Sequence, residues 1–234
     1  MAMPWANTQE LLDGEGGGGG GEGTDGNDVR EIKQAWINEK NAPVILPYRE
    51  ELVNRIGSSI ASQEEFIQSM GAERREELSY TLYQMELDRI KYLLRSYLRD
   101  RLKKIQAYCL HILDRRNMHL YARLSSKEQE FLKGFVDAMG GLFYDTVLSG
   151  FPYAYQHMLK QYQDSDEGEP TQDNTEFDMI PEPNTRSHVF VVATENVGDY
   201  QVESSYINIR ANDLFVTRYN YIESLLKEDS VQLV

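Results

Sequence analysis

Four histidines, one cysteine and a run of nine basic residues are the groups in this 234-residue chain best equipped for chemistry. The histidines are His111, His119, His157 and His188. A helical zinc site needs two of them four residues apart with a glutamate between, and no such HExxH spacing occurs; there is no CxxC pair either. The run Gly16–Gly21 formally satisfies GxGxxG, but no strand leads into it and no helix follows directly, so a phosphate cradle would lack its scaffold. G-x-S-x-G, Walker and kinase signatures are absent. Acidic pairs fall in floppy segments or on helix surfaces, where nothing fixes a catalytic separation. The inventory names no catalytic residue, cofactor or metal ligand and points away from an enzyme. Cys109 cannot form an internal disulfide and sits among apolar neighbours, so a buried, inert thiol in a reducing compartment is expected.

The basic run is the remaining candidate. From Arg89 to Arg116 the bases are Arg89, Lys91, Arg95, Arg99, Arg101, Lys103, Lys104, Arg115 and Arg116, against Asp100 and Asp114. With Tyr92, Tyr97 and Tyr108 interleaved, this face is suited to a nucleic-acid backbone. Two other readings stand beside that one: a solvated face salt-bridged to acidic neighbours, and a protein interface, where the planar fork of arginine makes several bonds at once.

These bases belong to one extended amphipathic pattern. Between Glu73 and Arg116, apolar residues recur at Leu78, Leu82, Met85, Ile90, Leu93, Tyr97, Leu98, Leu102, Ile105, Cys109 and Ile112. Steps of three and four mark a helix face. A single helix of that length would reach roughly 60 Å, more than a small domain can cover. Part of its stripe is therefore expected to be sealed by other helices or by another protein. Fifteen tyrosines fit the same idea, since each buries a ring and keeps a hydroxyl in need of a partner.

Other elements follow from local signals. Asp28 reads as the N-cap of a helix carrying Val29, Ile32, Ala35 and Trp36, ended by Asn41 and Pro43. A second helix after Pro47 places Leu52, Ile56, Ile60, Ile67 and Met70 inward, with a weak point at Gly71. Ser125 and Glu128 form an S-x-x-E capping box that opens a helix with Phe131, Leu132, Phe135, Val136, Met139, Leu142, Phe143 and Val147 on one side, stopped by Gly150 and Pro152. Tyr153–Tyr162 reads as a last short helix. Strands are expected at His188–Thr194, Tyr206–Ile209, Leu214–Tyr219 and Val231–Val234, with turns at Asn196–Gly198 and Ala211–Asp213 and a helical turn at Tyr221–Leu226.

The expected architecture is α+β: a mainly α-helical N-terminal (A) domain with one very long helix, and a small β-rich C-terminal (B) domain. The boundaries are an acidic, Gly-rich tail at 1–28, the helical domain at 29–163, an acidic linker at 164–182 and the β-rich domain at 183–234. The tail and the linker hold six and eight acidic residues with no base, which accounts for the net charge of −14. The body between them is close to neutral, so the overall acidity says little about the folded surface. Within the tail, Leu11 and Leu12 between Glu10 and Asp13 are open to plain disorder or to folding on a partner. No apolar run reaches membrane-spanning length and the N-terminus lacks a signal-peptide pattern, so a soluble intracellular protein is expected.

Several segments resemble a known family. QAWINEKNAP (Gln34–Pro43), YQMELDRIKYLLRSYLRDRLKKI (Tyr83–Ile105), FDMIPEPN (Phe177–Asn184), HVFVV (His188–Val192) and VQLV (Val231–Val234) are similar, in that order, to the Sld-five family of subunits of the eukaryotic GINS DNA-replication complex. The match falls on Trp36, Glu39, Met85, Glu86, Arg89, Ile90, Tyr92, Leu94, Ser96, Tyr97, Leu98, Arg99, Arg101 and Leu102. The resemblance implies a non-catalytic, nuclear subunit of a heterotetramer. Its partners would be the three other GINS subunits, the minichromosome-maintenance helicase hexamer and the Cdc-forty-five protein. Replicative polymerases or replisome adaptors are further candidates, DNA contact is weak or indirect, and no membrane is involved. It implies interface or helical-core roles for Trp36, Met85, Arg89, Tyr92, Leu94, Tyr97, Leu98, Arg99, Arg101 and Leu102, and C-terminal docking for Val231, Leu233 and Val234. The alternative is a nucleic-acid-binding module using the basic face at 89–116.

Overall fold

The computed structural model describes residues 24–70, 78–152, 180–202 and 205–234. The Gly16–Gly21 run, Gly71, Tyr153–Tyr162 and nearly all of the 164–182 linker lie outside them. Helices α1 (Thr24–Asn41), α2 (Glu50–Ser69) and α3 (Leu78–Ala107) come first, followed by the short α4 (Cys109–Leu113) and α5 (Met118–Tyr121) and by α6 (Ser126–Thr146). Strands β1 (His188–Ala193), β2 (Gly198–Val202), β3 (Ser205–Ile209) and β4 (Leu214–Arg218) precede α7 (Tyr219–Lys227) and β5 (Val231–Leu233). Helix and small antiparallel sheet together make the α+β class read from the pattern.

The extended helix stops sooner at its C-terminal end than its periodicity suggests; residues 73–77, at the other end of the expected span, lie outside the described residues. Over α3 it holds 30 residues, about 45 Å. Tyr108 then leaves helical geometry at φ −117° and ψ 26°, although i→i−4 bonds continue on either side of it. Asp114 turns extended at ψ 136°, and its carboxylate accepts the Arg116 N–H, starting a 3-10 turn at Arg115–Asn117. Aspartate favours such local bonds over helix continuation. Asp28 also departs from expectation: α1 begins at Thr24, so Asp28 lies inside the helix, where its carboxylate takes both Nε and Nη2 of Arg55.

Among the described residues the chain forms two compact units. The first draws on Met1–Ala42, Arg49–Asp100 and Arg186–Val234. Its helices bury Ile32, Leu52, Ile56, Ile67, Leu87, Ile90, Leu93 and Tyr97. Its three-stranded sheet has the order β4-β1-β5, all antiparallel. Side chains alternate by strand period: Val189, Val191, Ala193, Thr217, Val231 and Leu233 are buried, while Phe190, Leu214 and Val216 face water. Helix α7 packs on β4 and β5 and buries Tyr219, Ile222, Leu225 and Leu226, a three-to-four spacing. Strand β2, which its Gly-Asp start hid from the sequence reading, pairs with β3 as a separate hairpin. The Tyr200 hydroxyl pins that hairpin to α7 by donating to the Tyr221 carbonyl at 2.7 Å.

The second unit comprises Pro43–Tyr48 and Arg101–Thr185. The expected capping box is present: Ser125 Oγ accepts the Glu128 N–H at 3.3 Å and Glu128 Oε2 accepts the Ser125 N–H at 2.8 Å. Leu132 behind it is fully buried. Leu142, Phe143 and Val147, expected on the inner face of α6, instead stand exposed.

Candidate protein interaction surfaces

The most heavily determined point in the second unit is Arg101. It is fully buried and presents its fork to Glu128, Nε to Oε1 at 2.7 Å and Nη2 to Oε2 at 3.0 Å. Nη1 donates to the Leu46 carbonyl at 2.7 Å and Nη2 to the Arg123 carbonyl at 3.2 Å. The guanidinium carbon lies 5.3 Å from the centre of the Tyr48 ring. A planar, permanently charged donor fork suits this cage, and lysine would not reproduce it. Glu128 thereby does two jobs, capping α6 and neutralising Arg101, so the segment 43–48 and the helix start are held by one charge. Lys104 and Arg123 add bonds to the Val44 and Ile45 carbonyls at 3.2 and 2.9 Å.

In the first unit, Trp36 is half-buried and its Nε1–H donates to Asp100 Oδ2 at 2.9 Å. Tyr92 meets the Trp36 ring edge-on, centroids 6.1 Å apart, yet stays 59% exposed. Lys40 Nζ stands 5.6 Å from the same indole. A rigid aromatic pair with one face in water is the kind of anchor that dominates protein contacts. Tyr97 is buried, its hydroxyl accepting the Arg49 N–H at 3.4 Å. Leu94, Leu98 and Leu102 are half-buried, while Arg89 and Arg99 are exposed.

The apolar stripe of α3 divides in two. Ile90, Leu93, Tyr97 and Ile105 are buried, as are Cys109 and Ile112 in α4. Leu78, Leu82 and Met85 are 74%, 48% and 63% exposed. With Tyr92 they step by four, three and seven residues, the a/d spacing of a helix-packing seam. Leu87 is buried but lies off the row of apolar residues whose spacing marks the helix face.

The basic run is largely consumed by the fold. Arg89 pairs with Glu86, Lys91 with Glu64, Arg101 with Glu128 and Arg116 with Asp114. Among the described residues, no carboxylate lies within ion-pair distance of Arg95, Arg99 or Arg115. The solvated, salt-bridged reading thus accounts for a large share of this charge. Asp114 is held below the usual carboxylate range by its side-chain hydrogen bond with Arg116. Cys109 is buried, and desolvation pushes its thiol up.

Val231 and Leu233 are buried in β5 against β1, whereas Val234 is exposed. No group of three His, Cys, Asp or Glu among the described residues could hold a metal ion. No described helix is long and apolar enough to cross a membrane.

Comparison with known proteins gives these surfaces a context. Residues 59–144 match the family model described as GINS complex protein helical bundle domain, and residues 183–234 match DNA replication complex GINS protein SLD5 C-terminus. The DNA replication complex GINS protein SLD5 of Arabidopsis thaliana is 34% identical over 88% of this chain and 90% of its own length. The Schizosaccharomyces pombe protein of that name is 31% identical over 85% and 88%, and the Homo sapiens protein 28% identical over 95% and 96%. Both matched models, and relatives aligned along nearly the whole length, agree with the helical and β elements described above: the chain belongs to the SLD5 family of DNA replication complex GINS proteins.

Proposed function

We propose that the chain is a non-catalytic structural subunit of a four-subunit GINS complex in the nucleus. In this reading the complex joins the minichromosome-maintenance hexamer and the Cdc-forty-five protein to form the replicative DNA helicase. The chain contributes surface, not chemistry. The helical domain at 29–163 and the β-rich domain at 183–234 would be its two interaction modules. The carrying observation is the a/d seam of α3, with Leu78, Leu82, Met85 and Tyr92 in water. Leaving several large side chains exposed forfeits about 1.5–3 kcal/mol each relative to burial, and a partner helix recovers it. Polymerases or replisome adaptors would attach through other surfaces.

Co-expression with the three sister subunits tests this. The wild-type chain should elute with them in one stoichiometric complex, and Leu82→Glu combined with Met85→Glu should abolish that peak while leaving the chain's own circular dichroism intact. A wild-type monomer that ignores the sisters, or a double variant that assembles normally, contradicts the reading.

A nucleic-acid role rests on Arg95 and Arg99, which are exposed. Charge reversal of Arg95, Arg99 and Lys103 should then abolish a DNA affinity that falls steeply with salt and leave assembly whole. Loss of assembly instead would assign the face to protein contact.

A further inference from the structure

Helix α1 has two sides with different commitments. On one, Asn38 Oδ1 accepts the Leu233 N–H at 2.9 Å and Gln34 Nε2 donates to the Leu233 carbonyl at 3.1 Å. Gln34 and Asn38 also bond to each other, at 2.9 Å. At about 100° per residue, Lys33, Trp36 and Lys40 fall on the opposite side, within about 60° of one another. Lys33 and Lys40 are exposed, and the Lys40 ammonium stands over the Trp36 indole. Helix α3 meets this side at Tyr92, whose ring touches Trp36 edge-on. One and two turns beyond Tyr92, α3 exposes Arg95 and Arg99. Among the described residues, no carboxylate lies within ion-pair distance of Lys33, Lys40, Arg95 or Arg99. Asp100 spends Oδ2 on the Trp36 Nε1–H, and Asp88, one turn before Tyr92, accepts from Gln84 at 3.4 Å. An aromatic pair flanked by four cations without counter-ions fits an acidic segment that carries apolar side chains.

The chain carries such a segment. Residues 1–23 lie outside the described residues; their sequence holds Glu10, Asp13, Glu15 and Glu22 and no Lys or Arg. Glu10, Asp13 and Glu15 flank Leu11 and Leu12 within six positions. Seven glycines and Glu22, at 16–23, then lead to Thr24, where α1 starts. Trp36 lies 12 residues beyond Thr24, about 18 Å along the helix. Eight residues of glycine-rich chain have an r.m.s. span of about 14–17 Å. A tether matched to the distance it must cover gives an effective concentration on the order of millimolar. A contact too weak to join separate molecules then forms within one. The other acidic stretch, 164–182, belongs to the second unit, whereas tail and patch share the first. Two copies meeting patch to patch would set four cations against four, which is unfavourable. A nucleic-acid backbone arrives from free solution and has to outcompete the tethered carboxylates.

We propose that residues 10–15 dock on their own chain's patch and mask this basic face from free polyanions. Leu11 and Leu12 lie against Trp36, and Glu10, Asp13 and Glu15 sit among Lys33, Lys40, Arg95 and Arg99. The contact begins where the α3 seam ends, at Tyr92, and does not depend on which protein covers that seam.

Photo-crosslinking from Leu12→p-benzoylphenylalanine tests it, in the full chain alone and co-expressed with the sister subunits. An equal mixture of 15N-labelled and unlabelled chain is irradiated, and the adducts are mapped by mass spectrometry. They should fall within 33–40 or 92–99, with both halves carrying the same isotope. Neutralising the segment (Glu10→Gln, Asp13→Asn and Glu15→Gln together) should lower the yield about tenfold, and Arg95→Gln with Arg99→Gln should do the same. Deleting residues 16–21 leaves Glu15 a reach of at most about 10 Å from Thr24 and should also lower the yield; six serines in their place should restore it. No adduct on these residues, or a yield unchanged by neutralising or shortening the tail, overturns the proposal. Mixed-isotope adducts would make a second copy the occupant, and an adduct on a sister subunit would make it a partner; either overturns it. So does loss of the adduct on adding one equivalent of single-stranded oligonucleotide at physiological salt, which would give the face to nucleic acid.

Discussion

Replacing Arg101 with methionine should damage the fold more than any surface change. The substitution keeps length and apolar stem but deletes four observed bonds: two to Glu128 and one each to the Leu46 and Arg123 carbonyls. Glu128, whose side chain is only 7% exposed, would keep the Ser125 N–H as a partner but lose its counter-ion. Breaking one side of a buried pair costs about 3–5 kcal/mol, because the remaining charge is stranded. At about 2–4 °C per kcal/mol for a chain of this size, the melting temperature should fall by roughly 6–20 °C. Glu128→Gln keeps one oxygen as an acceptor but strands the buried Arg101 charge in its turn, so it should be destabilising as well. The double variant strands no charge, so its cost should undercut the sum of the singles by at least about 1 kcal/mol. Calorimetry on all four proteins, purified in the same assembly state, supplies the cycle. Strict additivity, or an Arg101→Met midpoint within about 0.5 kcal/mol of wild type, as for an ordinary surface change, would refute the assigned role.

Three further outcomes follow from single sites. Cys109 should react far more slowly with iodoacetamide at pH 8 in the folded chain than in urea, since burial both raises its pKa and blocks access; equal rates would mean the thiol is open. The Asp114 carboxyl should titrate below the usual value of about 3.9 by NMR, and Arg116→Ala should bring it back. Because the folded pKa is depressed, the contribution of this turn to stability is present above the unfolded value and lost as pH falls through the folded one. Asn38→Ala should cost about 1–3 kcal/mol by leaving the buried Leu233 N–H unsatisfied, with faster exchange at that amide as the direct readout.

What the sequence made legible was local. The capping box at Ser125, the stop at Asn41 before Pro43, and β1, β3, β4 and β5 follow from short-range chemistry, and each stands where expected to within a residue or two. The helix stripe matches the fold in period but not in extent. Tyr108 interrupts it without a local signal, whereas Asp114, which ends the short α4 that follows, is a local signal that the periodicity around it outweighs. Asp28 differs for the opposite reason: a residue type suited to a cap is engaged instead in an ion pair with Arg55, 27 positions away. Long-range pairings left no trace in spacing. Arg101 reads in the sequence as one of nine bases on the helix, with an interface or helical-core role implied by the resemblance, and only the fold shows that its partner is the N3 residue of the capping box. The exposed row of Phe190, Leu214 and Val216 was likewise invisible, because strand alternation does not say which face a helix will cover.

The hydrogen bond from Leu233 to Asn38 spans 195 residues. A ribosome releases α1 early and β5 late, so through most of synthesis Asn38 and Gln34 wait in water for a strand not yet made. The unit that contains them is assembled from three separated stretches of chain, whereas Arg101 and Glu128 lie 27 apart and can meet much sooner. Loops that long close slowly. The order of birth therefore favours the Arg101 cage as the first solid part, with the sheet joining α1 last, and a nascent chain stalled before residue 233 would carry an unfinished sheet to any quality-control protease nearby.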